Sequence, residues 1–304
     1  MGIAGTFIKA LSRRPSGRHL LSWGVSAYDR WFCSPEAVGG QPMHAANLPA
    51  GFSFSVGIAH HNRGSQVARP LRNLINHKAV SEVVIVDDGS CESEFEALRE
   101  QVRLIDKKGR VKVHRRAENR GALQTKLECV EKCSSDWVLI LDSDNTAFTG
   151  YLDRLAALEE PDPDVIYCAS WAYPYFPFHE LSGMLIDFKS ARELLADGML
   201  KKYYLLNDGN YLVNRFKYTG LVSSIGKLPS DVVDVLVVNY LWLSAGGRLQ
   251  VIPETKYMHR VDPSSFWSRT AEASKKRLLE IYARMERAVP WDEDFLHKLT
   301  SGLV

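Results

Sequence analysis

From residue 53 onward, short apolar runs alternate with stretches of helical periodicity. Residues 53–59, 82–86, 111–114 and 137–141 are compact apolar segments bounded by polar residues and turn formers, the pattern of buried strands. Between them, residues 67–77, 94–105 and 122–132 carry the 3.6-residue spacing of helices packed on a core. Strands alternating with helices predict an α/β fold with a mostly parallel central sheet and helices on both faces. The second half is less regular. It predicts strands at 165–171 and 248–252, a helix near 232–243, and a final helix from about Phe266 to Ala288, stopped by Pro290. Residues 171–178 crowd aromatics around Pro174 and Pro177, which predicts a loop.

The pattern divides the chain into an N-terminal extension (1–50), a first lobe (51–150), a second lobe (151–263) and a C-terminal helical segment (264–304). The extension is basic at its start, with Lys9, Arg13, Arg14 and Arg18 before the first acid, Asp29. It lacks the apolar core of a secretory signal. Ile3, Phe7, Ala10 and Leu11 can line one face of a short amphipathic helix, so either peripheral contact with a membrane surface or a solvated extension is open.

Composition narrows the function. With 45% hydrophobic and 24% charged residues, the chain can bury a core. Its 38 Lys and Arg against 36 Asp and Glu leave a net charge of +2, which gives no electrostatic case for nucleic acid. The longest stretch without Asp, Glu, Lys or Arg, 37–62, is interrupted by glycines and prolines and does not read as a membrane span. Five scattered cysteines form no disulfide framework, and Cys129 with Cys133 lacks further zinc ligands. The expected compartment is cytosolic.

Three segments concentrate possible chemistry. In Val138-Leu-Ile-Leu-Asp-Ser-Asp-Asn145 a buried strand ends on Asp142 and Asp144. In extended chain, that spacing turns both carboxylates to one side, and ligands collect at the carboxyl ends of parallel strands. Two hard oxygen donors there suit Mg²⁺ or Mn²⁺ carrying a diphosphate; the same four residues also suit a helix cap. In Val83-Val-Ile-Val-Asp-Asp-Gly-Ser90, Asp87 and Asp88 reach the equivalent place on another strand. A carboxylate there can accept a hydrogen bond from a nucleobase imide or a ribose hydroxyl, or can bond the amides of its own turn. Asn119-Arg-Gly121 and Lys126 follow, either as cations for a diphosphate or as solvated helix charges.

In this order the segments resemble the family 2 glycosyltransferases of GT-A fold. Ala59-His-His-Asn-Arg63 stands where the family has Thr-Tyr-Asn-Arg, Val86-Asp-Asp-Gly-Ser90 is unchanged, and Asn119-Arg-Gly121 with Thr125-Lys-Leu127 stands for Asn-x-Gly and Ala-Arg-Asn. Asp142-Ser-Asp144 is the Asp-x-Asp. The resemblance implies an enzyme that moves a sugar from a nucleotide-diphosphate donor to a glycan, lipid-linked or small-molecule hydroxyl acceptor. It implies Ala59, Asn62, Arg63, Asp88, Asn119, Lys126 and Ser143 at the donor, and Asp142, Asp144 and His259 as ligands of Mn²⁺ or Mg²⁺. Asp231, in Leu228-Pro-Ser-Asp231, maps onto the family's catalytic base, with Asp234 as the alternative; either is also a fitting helix cap. Trp171, Asn210 and Arg215 are acceptor-site candidates. The chain departs from the family at His60-His61, at Lys126 for Arg and at Ser230 for Glu, and it lacks the Gln-x-x-Arg-Trp of processive synthases. A non-processive, inverting transferase is therefore expected. The alternatives are a retaining transferase, a nucleotidyltransferase, or a non-catalytic binding module.

Overall fold

The computed structural model describes residues 52–196, 204–229, 233–260 and 266–301. Expectations about residues 1–50 and about Asp231 lie outside the described residues.

The first lobe follows the predicted alternation: β1 (Phe54–His60), α1 (Ala68–Asn76), β2 (Val80–Asp87), α2 (Glu92–Ile105), β3 (Val111–Arg115), α3 (Ala122–Lys132) and β4 (Trp137–Asp142). β1 has the expected length, displaced by one residue, and β2, β3 and β4 are one to three residues longer than their apolar runs, because ladder pairing extends past them. β4 turns at once into β5 (Thr146–Ala147) and α4 (Thr149–Ala156). Beyond these come β6 (Val165–Ala169), β7 (Trp171–Tyr173), β8 (Phe176–Pro177), β9 (Leu185–Ile186), α5 (Phe188–Ala196), β10 (Tyr211–Asn214) and α6 (Arg215–Val222). The described chain ends with α7 (Asp234–Ser244), β11 (Arg248–Ile252), β12 (Tyr257–Met258), α8 (Phe266–Glu286) and α9 (Glu293–Ser301).

Eight strands form one sheet in the order β3-β2-β1-β4-β10-β6-β11-β9, so it runs continuously from the first lobe into the second. Neighbours are parallel except that β10 runs against both β4 and β6, and β9 against β11. Strands β1, β2 and β4 are buried along almost their whole length, as expected of strands with both faces covered. α3 lies so close over β1 that a Cβ on Gly57 would stand 2.9 Å from the Cβ of Cys129, which accounts for a glycine in mid-strand. α7 is buried from Val235 through Leu243, hence its apolar residues on every face.

A smaller sheet, in the order β5-β12-β7-β8, corrects the loop expected at 171–178. Trp171 pairs with Pro177 and Ala172 with Phe176 in a short antiparallel hairpin. Pro177 is tolerated because β8 is an edge strand, where a missing N–H costs no ladder bond. Among the described residues no helix is long and apolar enough to cross a membrane.

Candidate active site

The register of the parallel strands assembles the site. Ala59 on β1 is level with Asp142 on β4 and Val86 on β2, and His60 is level with Asp87. The carboxyl ends of three strands therefore present Ala59, Asp87 and Asp142 along one edge, where a ligand of an open α/β sheet sits.

Asp142 is held from several sides. Its amide donates to Asn210 Oδ1 (3.0 Å), and that oxygen also accepts from Asn145 Nδ2 (3.1 Å). Lys126 Nζ lies 3.4 Å from Asp142 Oδ1 and 3.1 Å from Asp234 Oδ2. Burial pushes the Asp142 carboxyl up, but Lys126, His259 and Arg63 outweigh it and hold the group below its ordinary value. Its side chain keeps 36% exposure, open to a ligand.

Asp144 is not on extended chain. The amide of Asn145 closes a turn onto the Asp142 carbonyl (3.0 Å), and Ser143 and Asp144 occupy that turn. The alternation that would have put both carboxylates on one side of a strand thus ends at Asp142. Asp144 is paired with the Arg63 guanidinium, and burial, with Asp142 adding to it, raises its carboxyl to about 6 despite that partner. Arg63 thereby joins the loop after β1 to the turn after β4.

His259 follows β12, its amide donating to the Tyr173 carbonyl (2.7 Å). The rings of Phe176, Tyr257 and Tyr175 surround the imidazole at 5.5, 6.0 and 6.3 Å. Burial lowers its pKa, with Asp142 opposing, and Nδ1 has no hydrogen-bond partner. Among the described residues no three Asp, Glu, His or Cys side chains converge as ready metal ligands. In kind the donors fit Mn²⁺ or Mg²⁺: two carboxylates and a neutral imidazole with an unused Nδ1. The buried Cys129 and Cys133 thiols do not, since burial pushes both up.

The other sequence candidates divide. Asp88 is buried and its carboxylate is already engaged: Oδ1 accepts from the Arg120 amide (2.8 Å) and Arg116 (3.0 Å), Oδ2 from the Gly121 amide (2.9 Å). It therefore shapes the Asn119-Arg-Gly121 turn. Gly89, at φ +68°, allows this: a Cβ there would meet the Glu118 carbonyl carbon at 2.7 Å. Asn62, itself at φ +51°, accepts from the Cys91 amide (2.9 Å) and lies beside His61 (2.9 Å). Asn119 reaches the same His61 ring (3.3 Å), so Asn62, His61 and Asn119 form one exposed polar rim. Asn210 braces Asp142. Trp171 sits half-buried in the β7–β8 hairpin, edge-on to Tyr173 (4.7 Å), with its indole N–H unpartnered.

Arg215 is elsewhere. Because β10 runs against β4, with Asn214 opposite Trp137, Arg215 emerges at the amino edge of the sheet, where its amide bonds the Asp136 carbonyl (2.7 Å). That places it at the edge of the sheet opposite Asp142. The cations expected on a diphosphate are corrected in part, since Lys126 is buried between two carboxylates and Arg120 lies on the surface beside Glu118 (3.5 Å).

Sequence reading missed Asp208. It is buried, accepts from Tyr257 OH (2.8 Å) and the Asn210 amide (3.0 Å) on Oδ1, and leaves Oδ2 without a partner. Burial raises its carboxyl to about 7. The available signal was an acid one residue from a glycine and two from the Asn210 brace.

The parallel strands, the reversed β10 and the ligand edge define a GT-A-like architecture. A model of the family described as "Glycosyl transferase family 2" matches residues 55–217, more than half the chain. The chain belongs to the family 2 glycosyltransferases, enzymes that transfer sugar from nucleotide-sugar donors. Among solved structures, it is similar to residues 1–349 of S. aureus TarS in complex with UDP-GlcNAc (17% identity, TM-score 0.59, covering 83% of this chain and 71% of that one). The same TarS fragment with UDP matches at 17% identity and TM-score 0.55, covering 83% and 70%. A longer TarS structure matches at 16% identity and TM-score 0.51, covering 77% of this chain but only 43% of that one. At these identities the likeness is one of fold. No curated protein matches the chain in sequence.

Proposed function

We propose that the chain is a metal-dependent, non-processive, inverting glycosyltransferase that uses a uridine-diphosphate sugar and an acceptor hydroxyl. The observation that carries this reading is Asp142: a carboxylate at the carboxyl end of a central parallel strand, kept ionised, open to solvent, and adjoining a buried imidazole with a free nitrogen. The fold shared with a TarS fragment bound to UDP-GlcNAc supports uridine as the base.

In this reading, the loop from Ala59 through Arg63 and the rim of Asn62 and Asn119 hold the nucleoside, over a turn stiffened by Asp88. Asp142, Asp144 and His259 would hold Mn²⁺ or Mg²⁺, with Arg63 released from Asp144 to face the donor. When bound, the ion supplies Lewis-acid stabilisation of the departing diphosphate. Asp231 takes the proton from the acceptor hydroxyl as its oxygen attacks the anomeric carbon from the face opposite the leaving group. That displacement inverts the configuration through an oxocarbenium-like state. The pairing of Lys126 with Asp234 supports Asp231, which maps onto the family's base, over Asp234 in that role. Tyr175, 38% exposed, and the half-buried Trp171 flank the acceptor.

The test is NMR analysis of product from a panel of uridine-diphosphate sugars, with manganese and then with chelator. An inverted anomer formed only with metal is expected. A retained anomer would overturn the base assignment, and undiminished turnover in chelator would overturn the metal assignment.

A further inference from the structure

Lys126 sits on the buried face of α3 beside Leu123, Leu127 and Val130, with its side chain 8% exposed. An ammonium removed from water costs several kcal/mol unless it is paired. Here two carboxylates from separate elements pair it: Asp142, which ends β4, and Asp234, which opens α7. The chain leaves space for this: a Cβ on Gly209 would stand 3.3 Å from Lys126 Nζ and 2.6 Å from a Val235 methyl. The missing side chain thus lets the ammonium and the first turn of α7 approach each other beside the Asn210 brace.

We propose that Lys126 is a positioning residue whose ammonium couples the donor-side Asp142 to the start of α7, and is not a ligand of the diphosphate. The inference rests on the donor site and base assigned above. Asp231 precedes Asp234 by three residues, so a strut that fixes Asp234 against Asp142 sets the register between base and donor. Misplacing reacting groups by about 1 Å costs on the order of 100-fold in rate, with little effect on binding. Lys126 also competes with an incoming cation for Asp142, so its removal should not weaken manganese binding.

Four enzymes test this: wild type, Lys126→Met, Asp234→Asn and the double variant, with Lys126→Arg as rescue. The readouts are kcat, donor KM, and calorimetric binding of UDP and of manganese. Each single variant should lose about 100-fold in kcat while donor KM stays within about 3-fold, and the double variant should lose no more than either single, as expected of one shared interaction. Manganese affinity should hold or rise in Lys126→Met, and Lys126→Arg should recover part of the rate. Additive losses would overturn the proposal. So would a fall in UDP affinity in Lys126→Met with Asp234→Asn silent, which would make Lys126 a phosphate ligand. If Lys126→Met does not fold, Asp234→Asn carries the test, and a wild-type kcat in it overturns the coupling. Retention of configuration by the wild type would instead overturn the base assignment, and the coupling is then read from the same four kcat values.

Discussion

The two ends of the same three strands differ in how they hold their acids. At the amino end, Glu82 on β2 accepts on Oε1 from Ser55 Oγ (2.9 Å), the Ser134 amide (2.6 Å) and Ser134 Oγ (2.6 Å), and on Oε2 from Lys112 (2.6 Å). Burial opposes its ionisation, but these bonds outweigh it and hold the carboxyl down at about 2. At the carboxyl end Asp87 and Asp142 are also held down, but Asp144 and Asp208 are pushed up to about 6 and about 7, and His259 Nδ1, Asp208 Oδ2 and His60 Nε2 lack partners. An unsatisfied buried polar group costs about 1–3 kcal/mol, so such groups persist where something other than stability keeps them. At the amino end the buried acid is fully bonded; at the carboxyl end two acids and two imidazoles keep unused capacity.

The first way to break this contrast is to remove chemistry without removing stability. Asp231→Asn should cut transfer by about 1,000-fold or more while donor affinity, measured by calorimetry, stays within a few-fold. A collapse of donor binding would mark Asp231 as structural. Asp142→Asn should weaken manganese-dependent donor binding by about 100-fold and lower the melting temperature only slightly, since the side chain is part-exposed and Lys126 keeps Asp234 as a partner. A large drop in melting temperature would place Asp142 with Glu82 on the structural side.

The amino end should give the mirror image. Glu82→Gln should cost roughly 3 kcal/mol at neutral pH by urea unfolding, with kcat unchanged in the folded enzyme. The Glu82 pKa is depressed on folding, so its contribution is present above about 4.5 and fades as pH falls toward 2. The wild-type advantage should therefore close over that range. An advantage independent of pH would mean that packing, not charge, makes the difference.

An effect of opposite sign sharpens the carboxyl end. The Asp208 carboxyl is raised on folding, from 3.8 to about 7. Its stabilising contribution is thus complete below 3.8 and lost as pH rises through 7. Asp208→Asn keeps an acceptor for Tyr257 and cannot ionise, so it should gain on wild type between pH 4 and 7, reaching up to about 4 kcal/mol above neutrality. A flat difference across that range would mean that Asp208 is ionised in the folded protein at all these pH values.

Much of this was legible in the chain itself. Strands β2 and β4 are apolar runs that end in acids, and a parallel sheet must bring such ends together, so pattern alone singled out Asp87, Asp88 and Asp142, whereas Ala59 came with the family resemblance. What escaped depended on direction and on partners. The short strand at 211–214 was not predicted at all, and its antiparallel direction sends Arg215 to the far end. A lysine reads as solvated until the carboxylates that pair it are seen, and Asp142 and Asp234 lie 16 and 108 positions from Lys126. The hairpin at 171–177 hid behind its prolines, which an edge strand admits. The i, i+2 spacing of Asp142 and Asp144 suggested one face, but the turn begins between them.

The central claim is that a nucleotide sugar binds at the carboxyl edge through Asp142 and a divalent ion. Calorimetric titration of UDP-GlcNAc, and then of other uridine-diphosphate sugars, into wild type and Asp142→Asn, with manganese and with chelator, tests it directly. The account predicts micromolar, metal-dependent binding of one donor by the wild type and its loss in Asp142→Asn. Equal affinity in both proteins, or affinity indifferent to chelator, would contradict it.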